Sequence, residues 1–154
     1  MKSTHAQASK LIKQELKEKF PNTKFSVTSE IFAGGNAVRV EWVEGAKEDD
    51  VREITNKYEY GRFNGMEDIY EITNRREDIP QVKYITLKRE ISAKTTAKVI
   101  EKINKDFGLD IAFKIEPSSW RKNWDNIIIE DYFIKDMNCY STHFVYRQLR
   151  EYNI

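Results

Sequence analysis

The sequence has few of the residues that support disulfide or metal chemistry. Among its 154 residues there is one cysteine, Cys139, and there are two histidines. A single cysteine cannot form an internal disulfide, and a structural zinc site needs four ligands of the Cys, His or carboxylate type. We therefore expect a protein of the reducing cytoplasm that holds no metal and no other cofactor.

Long apolar segments are lacking as well. No apolar run approaches the roughly 20 residues that a membrane-spanning helix needs. The first residues lead into a charged segment rather than into the apolar stretch of a secretory signal. We therefore expect neither a signal peptide nor contact with a membrane.

Neither sign of charge is in excess. The chain has 26 Lys+Arg against 25 Asp+Glu, a formal net charge of +1 at pH 7. A dedicated binder of duplex DNA usually carries a large basic excess, so this class is disfavoured. The charge is uneven locally, however, because residues 1–24 contain six lysines and two glutamates.

Apolar and aromatic residues, in contrast, are plentiful. Hydrophobic residues make up 40% of the chain and aromatic residues 12%, a composition that argues against disorder. A chain of this length can bury a proper core within one domain. We predict a single domain over residues 1–154.

The spacing of the apolar residues predicts an alternation of helices and strands. A spacing of three to four residues predicts helices over 6–20, 49–59, 94–107 and 140–152. Alternation with a period of two predicts strands over 24–29, 37–43, 68–73, 82–91 and 111–115, and the run 127–129 reads as a buried strand. The fold class is therefore α+β, with a mixed or antiparallel sheet of about five to six strands and three to four helices packed on it. The second half, 75–154, carries a weak echo of the first helix–turn–strand pattern, which two generic amphipathic units can produce by chance.

Two segments rich in glycine interrupt this pattern. Phe32-Ala33-Gly34-Gly35-Asn36 lies between two predicted strands, where glycine and asparagine allow a hairpin turn. The segment YGRFNGM, residues 60–66, has two glycines four residues apart and predicts an irregular loop.

These segments resemble a known family. The stretches FPNTKFSV (residues 20–27), GGNAVRVEW (34–42) and YEYGRFNGMEDIY (58–70) together are similar to the large polyvalent protein-associated domain, subgroup twenty-nine, over about residues 6–73. Residues 1–74 form the family-like half, and residues 75–154 have no assigned relative. The resemblance implies an accessory protein of a phage or mobile element, found beside anti-restriction, methylase or helicase modules. It also makes both glycine motifs candidate surfaces, with Trp42, Tyr60, Phe63 and Tyr70 divided between core and partner surface.

Catalytic constellations are weakly supported. Cys139 and His143 are four residues apart and would share a face if both lay on the last helix, but an unremarkable cysteine and histidine there is the favoured interpretation. A nuclease would need strand-end carboxylates such as Asp68 or Glu71 beside a lysine such as Lys83 or Lys88. We therefore favour a binding protein over an enzyme.

Basic and aromatic side chains offer an alternative function. Lysines on one stripe of the first helix, together with Arg75-Arg76, Lys88-Arg89 and Arg121-Lys122, can attract phosphate. Exposed tryptophans can stack on unpaired bases. The candidate residues for nucleic acid are Lys10, Lys13, Lys17, Trp120 and Trp124.

Balanced charge and abundant aromatic residues favour protein recognition, where Tyr, Trp and Arg act as anchors. The resemblance to proteins of phages and mobile elements, whose small stand-alone members often inhibit host defences, implies by analogy a non-enzymatic inhibitor of a host nucleic-acid-targeting defence, of the anti-CRISPR or anti-restriction type. Its partner is a host defence protein or ribonucleoprotein, and a nucleic-acid-binding accessory domain is the alternative. The candidate residues for protein docking are Gly34, Gly35, Asn36, Tyr60, Phe63, Asn64 and Met66.

Overall fold

The computed structural model describes residues 4–152, which contain four α-helices and nine β-strands. The helices are α1 (Thr4–Lys19), α2 (Glu48–Thr55), α3 (Ala93–Phe107) and α4 (Ser141–Glu151). The strands are β1 (Phe25–Phe32), β2 (Gly35–Val43), β3 (Gly61–Asn64), β4 (Ile69–Ile72), β5 (Tyr84–Glu90), β6 (Phe113–Pro117), β7 (Asp125–Ile129), β8 (Phe133–Ile134) and β9 (Cys139–Tyr140). The predicted α+β class is confirmed.

The chain divides into two compact units, with the boundary between residues 90 and 91. The first unit is built on a three-stranded mixed sheet in the order β1-β2-β5, in which β2 is antiparallel to β1 and parallel to β5. Helix α1 covers one face of this sheet because Ala8, Ile12 and Leu16 recur at helical spacing, and all three are completely buried. They pack with Val38, Val40 and Trp42 of the central strand.

A partly buried polar cluster connects α1 to the short 3-10 turn Asn56–Tyr58 that follows α2. Glu15 accepts hydrogen bonds from Lys57 Nζ at 2.7 Å and from the hydroxyl of Tyr58. Burial acts to raise the pKa of Glu15, but these two hydrogen bonds outweigh it and bring that pKa below its usual value. Burial, followed by the bond to Glu15, raises the pKa of Tyr58 well above its usual range. The charged carboxylate of Glu15 therefore holds α1 to the turn that leads into β3.

The second unit has its own apolar core, formed mainly by α3 and α4. Helix α3 begins after Ser92, whose hydroxyl accepts a hydrogen bond from the Thr95 amide at 3.3 Å. It ends at Gly108, which has a φ of +64°, a left-handed conformation that glycine adopts readily. Strands β6 and β7 form an antiparallel hairpin, and β8 and β9 form a second short pair.

The strands are divided among several small sheets and do not form the one sheet that the sequence predicts. A single sheet of five to six strands was expected, whereas the largest sheet among residues 4–152 has three strands and the other strands pair two by two. Alternation identifies a strand but not its partner, and the short strands pair with their nearest neighbours along the chain. The prediction of an irregular loop over residues 60–66 is also wrong in part, because β3 begins at Gly61 and pairs with β4. Within residues 4–152, none of the helices has the combined length and apolarity that crossing a bilayer would require.

Candidate partner-binding surface

The Gly-Gly-Asn turn and the β3–β4 hairpin come together at Lys83, the residue before β5. The backbone amide of Lys83 donates a hydrogen bond to Asn36 Oδ1 at 2.9 Å, and its ammonium donates to the carbonyl of Gly34 at 2.7 Å. The same ammonium lies 4.9 Å from the ring centre of Tyr70 and 5.4 Å from that of Tyr84. Lys83 therefore holds the β1–β2 turn and the β3–β4 hairpin to one another.

Glycine is required at position 35 for two reasons. Its φ is +145°, which side chains rarely adopt, and a Cβ there would lie 2.7 Å from Cδ of Lys83. The Gly-Gly-Asn motif therefore forms the turn and also leaves space for the aliphatic part of the Lys83 side chain.

Four aromatic rings form a continuous row across the first unit. Phe32 stacks on Tyr84 with ring centres 6.1 Å apart, and Tyr84 meets Tyr70 edge-on at 5.3 Å. Tyr70 in turn contacts Tyr60 at 5.8 Å. The hydroxyl of Tyr70 donates to the carbonyl of Lys83. Burial, followed by the negative charge of Glu59, raises the pKa of Tyr70 well above its usual value.

Gly61 allows this row to form. A Cβ at position 61 would lie 2.2 Å from the carbonyl oxygen of Glu71 and 2.6 Å from a ring carbon of Tyr70. The ring of Tyr70 therefore occupies the space that any side chain at position 61 would need. Gly61, the first glycine of the segment YGRFNGM, is therefore required for the packing of the Tyr70 ring and is not a turn residue.

The tip of the β3–β4 hairpin is organised by Asn64. Its side-chain amide donates to Glu71 Oε1 at 2.8 Å, and its side-chain oxygen accepts a hydrogen bond from the Met66 amide at 3.1 Å. These contacts leave Met66 at the apex, with 98% of its surface exposed. Asn64 is therefore a positioning residue of the hairpin.

The two hairpins carry several large apolar side chains that are exposed to solvent. We apply the name two-hairpin surface to three of them, which are Phe32, Phe63 and Met66. Phe63 is 55% exposed although it lies opposite Tyr70 in the strand pairing. Of the other aromatic residues in the two motifs, Trp42 belongs to the core, with 3% of its surface exposed, and Tyr60 and Tyr70 are partly buried. Exposed apolar side chains on a rigid aromatic base are typical of a protein-binding site.

The predicted nucleic-acid residues lie elsewhere. Lys10, Lys13 and Lys17 are exposed on α1, and they form no ion pair with any other residue in the part of the chain that the structure describes. Trp120 is 77% exposed in the turn between β6 and β7 of the second unit. Trp124 is half-buried beneath Arg121, whose guanidinium carbon is 4.0 Å from the ring centre. The lysines and the tryptophans thus belong to different compact units.

The structure does not assemble the catalytic alternatives. Cys139 lies in β9 and His143 in the first turn of α4, so the two do not share a helix face. Asp68 occupies the β3–β4 turn with a φ of +53°, while Lys88 pairs with Glu90 on β5. Among residues 4–152 no group of three or more His, Cys, Asp or Glu side chains is arranged to hold a metal ion.

Lys83 and Tyr84 were not among the candidate docking residues predicted from the sequence. The sequence suggests Lys83 only as a lysine beside strand-end carboxylates, and Tyr84 only as part of an alternating strand. One feature of the sequence does point to Lys83 as a docking residue: it precedes a tyrosine at the start of a strand, where its side chain can reach the turn of a neighbouring hairpin. Only the parallel pairing of β2 with β5 shows that this turn is the Gly-Gly-Asn segment.

Comparison with known proteins identifies the family. The family model described as large polyvalent protein associated domain 29 matches residues 3–102, which include the whole two-hairpin surface and Lys83. The predicted resemblance over residues 6–73 is confirmed, and the match continues into α3. A search of curated proteins found no match, and a search of solved structures found none either. The chain therefore belongs to the large polyvalent protein-associated domain 29 family, a membership that fits an accessory protein of a phage or mobile element.

Proposed function

We propose that the protein is a non-enzymatic binding factor that docks on a host protein through the two-hairpin surface. The observation that carries this proposal is the convergence of the Gly-Gly-Asn turn and the β3–β4 hairpin at Lys83, because these two hairpins also carry the exposed Phe32, Phe63 and Met66. Aromatic residues and methionine are enriched in the core of protein interfaces, where a few anchor side chains supply most of the binding energy.

The charge of Lys83 indicates the chemistry of the partner. Its ammonium has three donors, and the hydrogen bond described for it goes to the carbonyl of Gly34. Among residues 4–152 it forms no ion pair with a carboxylate. A partner segment with a carboxylate next to apolar side chains would complement both the lysine and the apolar residues around it.

We further propose that this partner is an effector of a host nucleic-acid-targeting defence, of the CRISPR or restriction type. Family membership supports the setting in a phage or mobile element. The target itself is an extension by analogy with small proteins of such elements, which often inhibit host defences.

Replacing Phe63 and Met66 together by alanine tests the docking surface. Both side chains are more than half exposed, so we expect little change in stability. Each anchor contributes about 2 kcal/mol at a typical hot spot, so we expect binding to the effector to weaken by at least about 100-fold. The measurements are affinity for the purified effector and phage plating on a defence-bearing host.

Tyr146→Ala is the matched control, because Tyr146 is 58% exposed on α4 in the second unit. It should bind the effector and alter plating as the unchanged protein does. The proposal fails if the double variant keeps full affinity and full effect on plating. If the unchanged protein has no effect on plating, only the proposal that the partner is a defence effector is rejected.

A second candidate function is binding of single-stranded nucleic acid, favoured by one observation in the second unit. Trp120 projects from the β6–β7 turn beside Arg121 and Lys122, which is the combination that stacks on a base and contacts its phosphate. If this function holds, Trp120→Ala should weaken binding by about 10-fold, since stacking contributes about 1–3 kcal/mol per base. A gel shift at moderate salt with single-stranded DNA and RNA measures it, and no shift at micromolar protein rejects it.

A further inference from the structure

A cleft of about 370 Å³ opens at the base of the β3–β4 hairpin. We propose that it binds a small phosphate monoester that carries a flat group, such as a nucleoside monophosphate. This inference goes beyond the proposed docking function. Of the predicted docking candidates that the structure describes, Tyr60 is among the residues that line the cleft, whereas the anchors Phe32, Phe63 and Met66 are not.

The charge of the cleft is positive. Arg75 and Arg76 both line it, and none of the lining residues that the structure describes is acidic. Arg76 is already engaged by Asp78, which accepts from its Nε at 3.0 Å and from its Nη2. Arg75 is exposed and forms no ion pair with any residue in the range 4–152. One guanidinium is therefore open to a phosphate, which it can bind through two parallel hydrogen bonds.

The segment that carries the two arginines is held in place by a buried glutamine. Gln81 is 8% exposed, and its side-chain amide donates to the carbonyls of Lys57 at 2.8 Å and Asn74 at 2.7 Å. Its side-chain oxygen accepts the backbone amide of Arg76 at 2.7 Å. Because the backbone at position 76 is fixed before binding, the ordering cost is confined to the side chain of the adjacent Arg75 when its guanidinium meets an anion.

The remaining walls suit a flat or apolar group. Tyr60, Ile72 and Ile79 line the cleft. The ring of Tyr60 is itself held edge-on by Tyr70, at an interplanar angle of 79°. An aromatic ring with two isoleucines beside it offers a stacking surface for a base, next to the arginine that would hold its phosphate.

The size of the cleft favours a mononucleotide over a strand. Its volume of about 370 Å³ is near the lower end of the roughly 300–1,000 Å³ typical of small-molecule pockets. Thr4 of α1 also lines the cleft.

Titration calorimetry at low salt with adenosine 5′-monophosphate, adenosine and inorganic phosphate tests the proposal. We expect the monophosphate to bind more tightly than either fragment. Arg75→Gln should weaken this binding by at least about 10-fold, the loss expected for a charge-assisted hydrogen-bonded pair. Arg62→Gln removes the same charge from an exposed arginine that does not line the cleft, and it should leave binding within about twofold.

Three results would overturn the proposal. The first is that the protein does not bind adenosine 5′-monophosphate at millimolar concentration, and the second is that Arg75→Gln binds it as tightly as the unchanged protein does. The third is that an oligothymidylate without a terminal phosphate competes as well as the monophosphate itself. The last result would indicate recognition of phosphodiesters instead of a monoester. Arg75→Gln should retain docking on the effector, so failure of this proposal is distinguishable from failure of the proposed function.

Discussion

Gly61→Ala is expected to destabilise the first unit by about 3 kcal/mol, at the upper end of the usual cost of overpacking. The new methyl group would lie 2.2 Å from the Glu71 carbonyl oxygen and 2.6 Å from the ring of Tyr70. A backbone oxygen cannot move aside as the end of a flexible side chain can, so β3 must separate from β4 or the Tyr70 ring must leave the row. The free energy of unfolding, from urea denaturation followed by circular dichroism, measures the effect.

Gly65→Ala is the matched control within the same motif. The nearest atom to a Cβ at position 65 is a ring carbon of Phe63 at 4.0 Å, an ordinary contact distance. We expect this variant to differ from the unchanged protein by less than about 0.5 kcal/mol. Equal stabilities of Gly61→Ala and Gly65→Ala would contradict the packing role assigned to Gly61.

Trp42→Ala is expected to have the largest effect, a loss of about 4 kcal/mol, as is usual when a buried tryptophan is truncated to alanine. Trp42 is 3% exposed in the central strand, and its ring centre lies 5.4 Å from that of Phe25. Its indole N–H donates to the Ala46 carbonyl at 2.8 Å. Truncation would leave a cavity between α1 and the sheet and an unpaired carbonyl in the turn after β2.

Trp120→Ala makes the same chemical change at a site that is 77% exposed, and we expect its effect to stay within about 0.5 kcal/mol. Trp42→Phe should fall between the two, because it keeps most of the apolar volume and loses the hydrogen bond. A Trp42→Ala protein as stable as Trp120→Ala would show that the described core is wrong.

The helices could be predicted from the sequence because their signals are local. The stripe over residues 94–107 is bounded by Ser92 and Gly108, and α3 runs over Ala93–Phe107. The helix predicted over 6–20 is α1, which ends just before the Phe20-Pro21 step. Capping and periodicity lie within a few residues of each helix end, so they need no knowledge of the rest of the chain.

The pairing of strands and the convergence at Lys83 could not be predicted in the same way. The hydrogen bond from Lys83 to Asn36 spans 47 residues, and nothing near either residue specifies it. The glycine at position 61 likewise cannot be explained by the residues near it in the sequence. Glycine is disfavoured in strands, and only the positions of the Glu71 carbonyl oxygen and the Tyr70 ring, both distant in sequence, explain its presence in β3.

The candidate site was predicted in its parts but not as a whole. Both glycine motifs could be identified, and in the structure the turn of the first and the hairpin that contains the second meet at Lys83. The lysine stripe belongs to the first compact unit and Trp120 to the second. Which aromatic residues are exposed was also not predictable, because Trp42 and Phe63 are both large and apolar, and only packing distinguishes the core residue from the surface residue.

Hydrogen exchange of the protein alone and bound to its purified effector tests the central claim most directly. If the two-hairpin surface is the docking site, amides of residues 31–36 and 61–72 should be slowed at least about tenfold in the complex. Amides of α4 should exchange at the same rate in both states. Protection confined to the β6–β7 hairpin or to α1, with the two hairpins unchanged, would contradict the account.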